Sequence, residues 1–207
     1  MIGALERGVY LASRSPRRRE LLSQIGVRYH LLLFRERPGE IPEVNEDSLA
    51  GEAASAYVER MARDKAESGW RRMQQRNLPP APVLAADTTV ALEGRIYGKP
   101  ANREHAAEML AALSGKRHEV LTGVALKLHD QVEFALSSSE VALKKLTPEE
   151  IAQYVASGES DDKAGAYAIQ GRAARFVVEL RGSYSGVMGL PLYETAQLLE
   201  KMPHRGR

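Results

Sequence analysis

Ser13, Ser15, Arg17 and Arg18 stand close together in L-A-S-R-S-P-R-R-R-E-L-L, the stretch from Leu11 to Leu22. Hydroxyls and guanidinium forks at that density are anion chemistry, because each can donate a hydrogen bond to a phosphate oxygen and the forks carry charge as well. Their position sharpens the point. Arg17 to Arg19 occupy what reads as the first turn of a helix, where the macrodipole is already positive and acidic side chains are normally preferred. Unpaired backbone N–H groups at a helix start, two serines and the arginines would together hold a phosphate. A solvated basic turn is the plainer alternative. On the anion-site reading Arg17→Ala or Arg18→Ala weakens ligand binding and, by relieving charge at a positive helix end, leaves stability level or higher, whereas a large loss of stability with unchanged kinetics would favour the plain turn.

Four further positions carry groups that can do chemistry. Asp87 follows the apolar run P-V-L-A-A, which places a carboxylate at the end of a buried strand, where α/β sheets bind ligands. It can bind Mg²⁺, orient a water, or merely cap the next turn. Lys99, in G-K-P, reads equally as a phosphate contact or a solvated turn residue. Lys65, in R-D-K-A, lies beside an apolar helical stripe and either snorkels to water or emerges into a polar crevice. Gln170, between Ile169 and Gly171, offers a donor and an acceptor on one amide, suited to a base edge, in what is otherwise an ordinary polar loop.

The elements that must position these residues follow from periodicity and punctuation. Val9 to Leu11 reads as a strand, and Ser15 as the N-cap of a helix with Pro16 at its first position and a stop at Gly26. Tyr29 to Phe34 reads as a buried strand, and Arg35 to Gly51, with its prolines and acids, as a loop. Glu52 to about Gln75 is a long amphipathic helix ended by Asn77 and Pro79-Pro80. Pro82 to Ala86 reads as a strand that delivers Asp87-Thr88-Thr89 at its end, with Val90 to Leu92 extended beyond, and Glu93-Gly94-Arg95 as a turn toward Tyr97. Asn102 to Leu113 is helical; Val120 to Leu128 and Gln131 to Leu143 are a strand pair about His129-Asp130. Thr147-Pro148-Glu149-Glu150 starts a helix to about Ala156, Arg175 to Leu180 is a strand, Gly186 to Met188 a further one, and Pro191 opens a last helix through Glu200. Asp161 to Gly171 has neither period and suits a loop packed around a ligand. Strands alternating with helices, plus a central strand pair, predict an α/β fold on a mixed sheet.

Composition narrows the chemistry. The chain of 207 residues has no cysteine, which removes disulfides, thiolate nucleophiles and thiolate metal sites, and fits a reducing cytoplasm. Any metal must then be held by oxygen or imidazole. No apolar run is long enough to span a bilayer, and M-I-G-A-L-E-R-G-V-Y-L-A-S lacks the pattern of a secretory signal. A net charge of +2 argues against wrapping nucleic acid and for a local anionic ligand.

The stretches L-A-S-R-S-P-R-R-R-E-L-L, E-R-M-A-R-D-K-A, L-A-A-D-T-T-V, Y-G-K-P, L-S-G-K-R-H-E-V-L-T-G-V-A-L, D-K-A-G-A-Y-A-I-Q-G and G-S-Y-S-G-V-M-G-L-P-L resemble, in order and spacing, the Maf family of nucleotide pyrophosphatases. The resemblance implies one domain over residues 1–207, with its core at about 9–200, and an ITPase-like architecture in which a mixed sheet flanked by helices forms two lobes about a cleft. It implies cleavage of a nucleoside triphosphate to the monophosphate and pyrophosphate with a divalent metal, Mg²⁺ or Mn²⁺, and a homodimer. Ser13, Ser15, Arg17 and Arg18 would contact phosphates, Lys65 and Lys99 would neutralise them, and Asp87 would be the principal catalytic acid. The family glutamate in the loop after the second strand aligns best with Glu46, with Glu36, Glu40 and Glu43 as rivals; Glu46 and Asp87 would hold the metal. Arg17, Thr88 and Gln170 match members acting on dTTP and UTP, whereas members acting on 7-methyl-GTP tend to have Trp, Gln and Glu there. A regulatory module reading a nucleic-acid backbone is the reading of another class, and the acids expected in the same crevice would repel such a polyanion.

Overall fold

A computed structural model describes residues 8–32 and 44–201. Strand β1 (Val9–Leu11) is buried along its length and leads through a short loop into helix α1 (Pro16–Gln24), with Pro16 at the first helical position as expected. The chain returns to β2 (Tyr29–Leu31), parallel to β1. This strand corrects the reading of Tyr29 to Phe34 as buried. It forms the edge of the sheet, its three residues are only partly covered, and Leu31 is 38% exposed; residues 33–34 lie outside the described residues.

Helix α2 (Ala54–Gln75) turns Tyr57, Val58, Met61, Ala62, Ala66, Trp70 and Met73 inward at helical spacing. It lies on strands β3 (Val83–Leu92) and β5 (Arg117–Leu128), which run antiparallel with Asp87 opposite Gly123 and Thr88 opposite Thr122. Glu93 and Gly94, both at positive φ (53° and 79°), make a two-residue turn into β4 (Arg95–Tyr97). Helix α3 (Arg103–Leu113) is capped by Asn102 and packs with α4 (Pro148–Ala156), whose Thr147/Glu150 capping box is complete. Strands β6 (Gln131–Leu143) and β7 (Val177–Arg181) extend the sheet, giving the order β2-β1-β3-β5-β6-β7 with β4 also on β3. Among the described residues these seven strands form one mixed sheet flanked by helices.

Two expectations are corrected here. Gly186 to Met188 is not a strand but part of helix α5 (Tyr184–Met188), because Ser183 Oγ accepts the Gly186 N–H at 3.0 Å and caps it before an apolar run too short to hold a strand. The last helix, α6, covers Leu192–Lys201. Asp87 does not end a strand either. β3 runs unbroken from Val83 to Leu92, since β5 pairs with it throughout this region.

What ends near Asp87 is the neighbour. β1 pairs with β3 only at Val83 and Leu84, and β4 joins the same edge only from Val90 onward, so no strand among the described residues pairs Asp87 to Thr89 on that edge. Side chains of β3 alternate between faces. Val83 and Ala85 pack under α2, while Leu84 and Ala86 pack with α1 and α6. By the same alternation Asp87 faces α2 and Thr88 faces the other way. On Thr88's side one apolar cluster, with α1 and α6, ends at Ala86, and another, with α3 and α4, begins at Val90. Thr88 falls between them and is the one β3 side chain that is not buried, so two lobes part at this residue.

The seating of α2 on the sheet depends on Gly123. A Cβ there would come within 2.7 Å of Val58 O and 2.9 Å of the Phe134 ring. Gly123→Ala should therefore lower the unfolding free energy by about 1–3 kcal/mol, the usual range for forcing extra volume into a packed site. Urea denaturation checks this, and an unchanged midpoint would mean that α2 does not sit this closely on β5.

Candidate active site

On the α2 face of β3, Asp87 is almost fully buried and its Oδ1 accepts a hydrogen bond from Lys65 Nζ at 2.6 Å. The same ammonium lies 2.7 Å from Glu46 Oε1, and Lys99 Nζ donates to Glu46 Oε2 at 2.8 Å. The expected residues Asp87, Lys65, Glu46 and Lys99 thus form one alternating chain of charge. Lys65 reaches it because its place on α2, one turn beyond Met61, sets it at the boundary of the apolar stripe. Of its two expected behaviours, emergence into a polar crevice is the one observed.

Glu46 is held from behind. Tyr57 Oη donates to its backbone carbonyl at 2.9 Å, and Arg60 grips Glu52 with two contacts of 2.7 Å and the Asp47 carbonyl at 3.0 Å. Such a bidentate fork fixes the loop against α2. Desolvation raises the Glu46 pKa, but Lys65 and Lys99 outweigh it and hold the carboxyl at about 2. The Tyr57 hydroxyl is pushed up by burial and then by the nearby charges of Asp87 and Glu46. The rival acids Glu36, Glu40 and Glu43 lie outside the described residues.

On the opposite face Arg18 is the hub. Its Nε donates to Gly189 O at 2.7 Å, one Nη to Ser13 Oγ at 3.3 Å and the other to Thr88 Oγ1 at 3.3 Å. Burial lowers its pKa, and the charge of Asp87 works against that. Ser13 is buried, and its Oγ also accepts the Ser15 N–H at 3.2 Å. Ser15 holds the N-cap position as expected, yet its side chain makes no capping bond; the hydroxyl that serves the loop is that of Ser13.

The arginines do not converge on one point. Arg17 is half-buried, its pKa lowered by burial and raised in turn by Glu20 and by Tyr154 of α4. Lys163 is lowered by burial and then by Arg17. Arg17 therefore belongs to the α4 side of the opening, with Lys163, and Arg18 to the Thr88 side. Against the expectation that losing either arginine leaves stability level or higher stand the three bonds of Arg18, which tie α1 to β3 and to the turn after α5.

Gln170 lies half-buried between two 3-10 turns, Ala164–Ala166 and Arg172–Phe176. It makes no hydrogen bond to Thr88 or Asp87 among the described residues, so the structure brings it to the site only through its loop. That loop is pinned at three places. Gly165 N–H donates to Gly98 O at 3.1 Å, Ala168 N–H to Tyr154 Oη at 3.0 Å, and Tyr167 Oη pairs with His118 Nε2 at 2.8 Å. Gly165, at φ 66°, leaves no room for a Cβ, which would meet Val90 at 2.8 Å. The loop is thus pressed onto β3 next to Lys99's turn. Lys163, Tyr57 and Thr122 also lie at the site, though the sequence reading pointed to none of them. D-K-A-G held the signal for Lys163, but nothing local distinguishes Thr122 in L-T-G-V.

As a metal site, the arrangement offers Asp87 and Glu46; among the described residues no group of three histidine or acidic side chains converges. Both carboxylates come within 2.7 Å of the single Lys65 Nζ, so they are near enough to share a cation. Mg²⁺ is commonly held by one or two carboxylates with substrate phosphates and water completing its oxygen shell. The donor set fits such an ion.

Over residues 8–202 the sequence matches the family described as Maf-like protein. It is 55% identical to a protein of Nitrosomonas europaea named dTTP/UTP pyrophosphatase, covering 93% of each chain. It is 57% identical to a protein of the same name from Aromatoleum aromaticum, covering 95% of this chain and 96% of that one. The solved structure of the Staphylococcus aureus Ham1 protein aligns at 14% identity with a TM-score of 0.45, over 66% of this chain and 71% of that one, too loosely to argue from.

Two outcomes follow from the geometry. Arg18→Ala should lower the unfolding free energy by about 1–3 kcal/mol, because losing bonds from a charged donor outweighs the ~0.3–1 kcal/mol of dipole relief. Arg17→Ala should leave it level or higher, and equal losses in urea melts would contradict the division between them. For Glu46, a carboxyl pKa below its ordinary 4.5 means that its contribution to stability is complete above that value and lost as pH falls toward 2. Carboxyl-carbon NMR should give a midpoint of about 2; one near 4.5 would mean that the lysine bridge does not form.

Proposed function

The chain belongs to the Maf family, and on that premise we propose that it is a nucleoside triphosphate pyrophosphatase hydrolysing dTTP and UTP to the monophosphate and pyrophosphate. We read residues 1–207 as one such domain, working in the cytoplasm where its substrates are, and as a homodimer in keeping with the family resemblance. The observation that carries the reading is the pairing of two carboxylates with cations beside the stretch of β3 that, among the described residues, no strand covers on one edge.

Arg17, Arg18, Lys65 and Lys99 outnumber Glu46 and Asp87, so the opening has an excess of positive charge suited to a triphosphate. Ser13 already accepts two hydrogen bonds, and its own proton is left to donate to a phosphate oxygen. Ser15 and the first backbone N–H groups of α1 supply further donors at a helix start. Lys99, half-exposed at the tip of its turn, can exchange Glu46 for a phosphate without leaving the crevice. Glu46 and Asp87 would hold Mg²⁺ or Mn²⁺, which supplies charge neutralisation and a more acidic water when bound. Asp87 orients a water in line with the α-phosphorus and takes its proton. The water oxygen bonds to that phosphorus as the bond to the bridging oxygen breaks, and pyrophosphate leaves with the electron pair. Positioning and charge carry most of the catalysis.

The base lies on the Thr88 side. Thr88, Gln170 and neighbouring backbone form its pocket, and the Gln170 amide can donate to O4 on the O4/N3 edge of uracil or thymine. A glutamate at that place would suit a cationic methylated purine better.

Asp87→Asn keeps the shape and removes the charge, so it should lower kcat by at least about 10²-fold, the lower end for loss of a positioned acid or base, with its melting temperature near that of the parent. The measurement is pyrophosphate release from dTTP, UTP, CTP, GTP and 7-methyl-GTP with and without Mg²⁺ or Mn²⁺. Activity of the variant within a few-fold of the parent, or a parent that prefers 7-methyl-GTP, would contradict the proposal.

A further inference from the structure

Thr88 sits in a chain of hydrogen bonds whose two ends have fixed polarity. At one end Arg18 can only donate, and it does so to Thr88 Oγ1 at 3.3 Å. At the other end the carbonyl of Gly186 can only accept, and it takes the hydroxyl proton of Thr122 at 2.8 Å. Between them the two threonine oxygens lie 2.9 Å apart, cross-strand neighbours on β3 and β5. A hydroxyl has one proton. Thr122 has spent its proton on Gly186, so the proton between the threonines must come from Thr88. The direction is therefore Arg18 to Thr88 to Thr122 to Gly186, and Thr88 has no proton left to give. One lone pair of Thr88 Oγ1 remains, on the single β3 side chain that is not buried.

We infer that Thr122, 1% exposed and out of reach of a ligand, is a positioning residue that makes Thr88 an acceptor-only reader of the substrate base. The inference rests on the pyrimidine reading above and says how that site tells its substrates apart. Uracil and thymine present N3–H, a donor, to such an oxygen, whereas cytosine presents a bare N3 lone pair. Two facing acceptors repel, so the same geometry that welcomes UTP turns CTP away. A threonine free to rotate would accommodate either, by donating to one and accepting from the other. The discrimination thus depends on a hydroxyl on the neighbouring strand.

Thr122→Val keeps the shape and removes the hydroxyl, which frees the proton of Thr88. Thr122→Ser keeps the hydroxyl and should keep the chain. The experiment is calorimetric binding of the α,β-imido analogues of UTP and CTP to the parent, to each variant, and to Thr122→Val in a Thr88→Val background. The parent should favour UTP, and Thr122→Val should reduce the UTP-to-CTP affinity ratio by about five- to tenfold, the scale of one neutral hydrogen bond. Thr122→Ser should restore the ratio, and in the Thr88→Val background Thr122→Val should not move it. A purely structural role would weaken both analogues alike and lower the melting temperature with the ratio unchanged, and that result, or a parent indifferent to the two bases, overturns the inference. Because binding is read without turnover, a parent that binds UTP selectively but fails to cleave it would overturn the proposed reaction and leave the role of Thr122 standing.

Discussion

A β-strand inside a sheet can serve a ligand from both of its faces only where one of its edges is free, since a paired neighbour walls the two faces apart. Among the described residues β3 meets that condition between the end of β1 and the start of β4, at Asp87, Thr88 and Thr89. The two-residue side-chain period then does the sorting. Asp87 turns to α2 and its lysine, Thr88 turns to α1 and its arginine, and the free edge joins the two sides. Acid chemistry and base recognition can in this way come from consecutive residues without competing for space. β5 pairs with β3 through the same stretch on its other edge, so the backbone that carries both groups stays rigid.

The charges on the two sides are stabilised differently. On the α2 side, acids and lysines alternate, so each carboxylate has a cation within 2.8 Å, carried on a flexible four-carbon stem. An arrival of phosphate and metal could rearrange that chain without creating an unpaired charge. Arg18, by contrast, spends its fork on a backbone carbonyl and two hydroxyls, groups that cannot move away. A guanidinium is suited to this fixed role because it stays charged when burial lowers its pKa. It orders the Thr88 side by hydrogen-bond direction, while the lysine side remains adjustable.

Much of this was legible in the chain itself, and the reasons are local. Pro16, Asn102 and the Thr147/Glu150 box fixed three helix starts because capping uses residues within one turn. Glu93-Gly94 marked a hairpin for the same reason. Lys65 and Lys99 stood out by their local setting and Glu46 through family resemblance, and the structure brings the three together. Other features depend on partners far along the chain. Arg18 meets residues 171 and 70 positions away, so no local pattern could separate its role from that of Arg17. The continuity of β3 through Asp87 follows from its pairing with β5, which overrides the break that a charge suggests. Thr122 was invisible for a related reason: its importance is the direction of a proton between two strands, which neither its type nor its spacing encodes. Helix α5 was missed because one serine cap outweighs the apolar character of the residues after it.

On the proposed reading a pyrimidine triphosphate straddles the edge of β3 that no strand pairs among the described residues, with its α-phosphate beside Asp87 and Lys65 and its base against Thr88. The most direct measurement is a crystal structure of the chain with α,β-imido-dUTP and Mg²⁺. The α-phosphate is expected within reach of Asp87 on the α2 side, and base N3 within hydrogen-bond distance of Thr88 Oγ1 on the other. A nucleotide lying wholly on one face of β3, or one seated with its base toward Lys65, would contradict it.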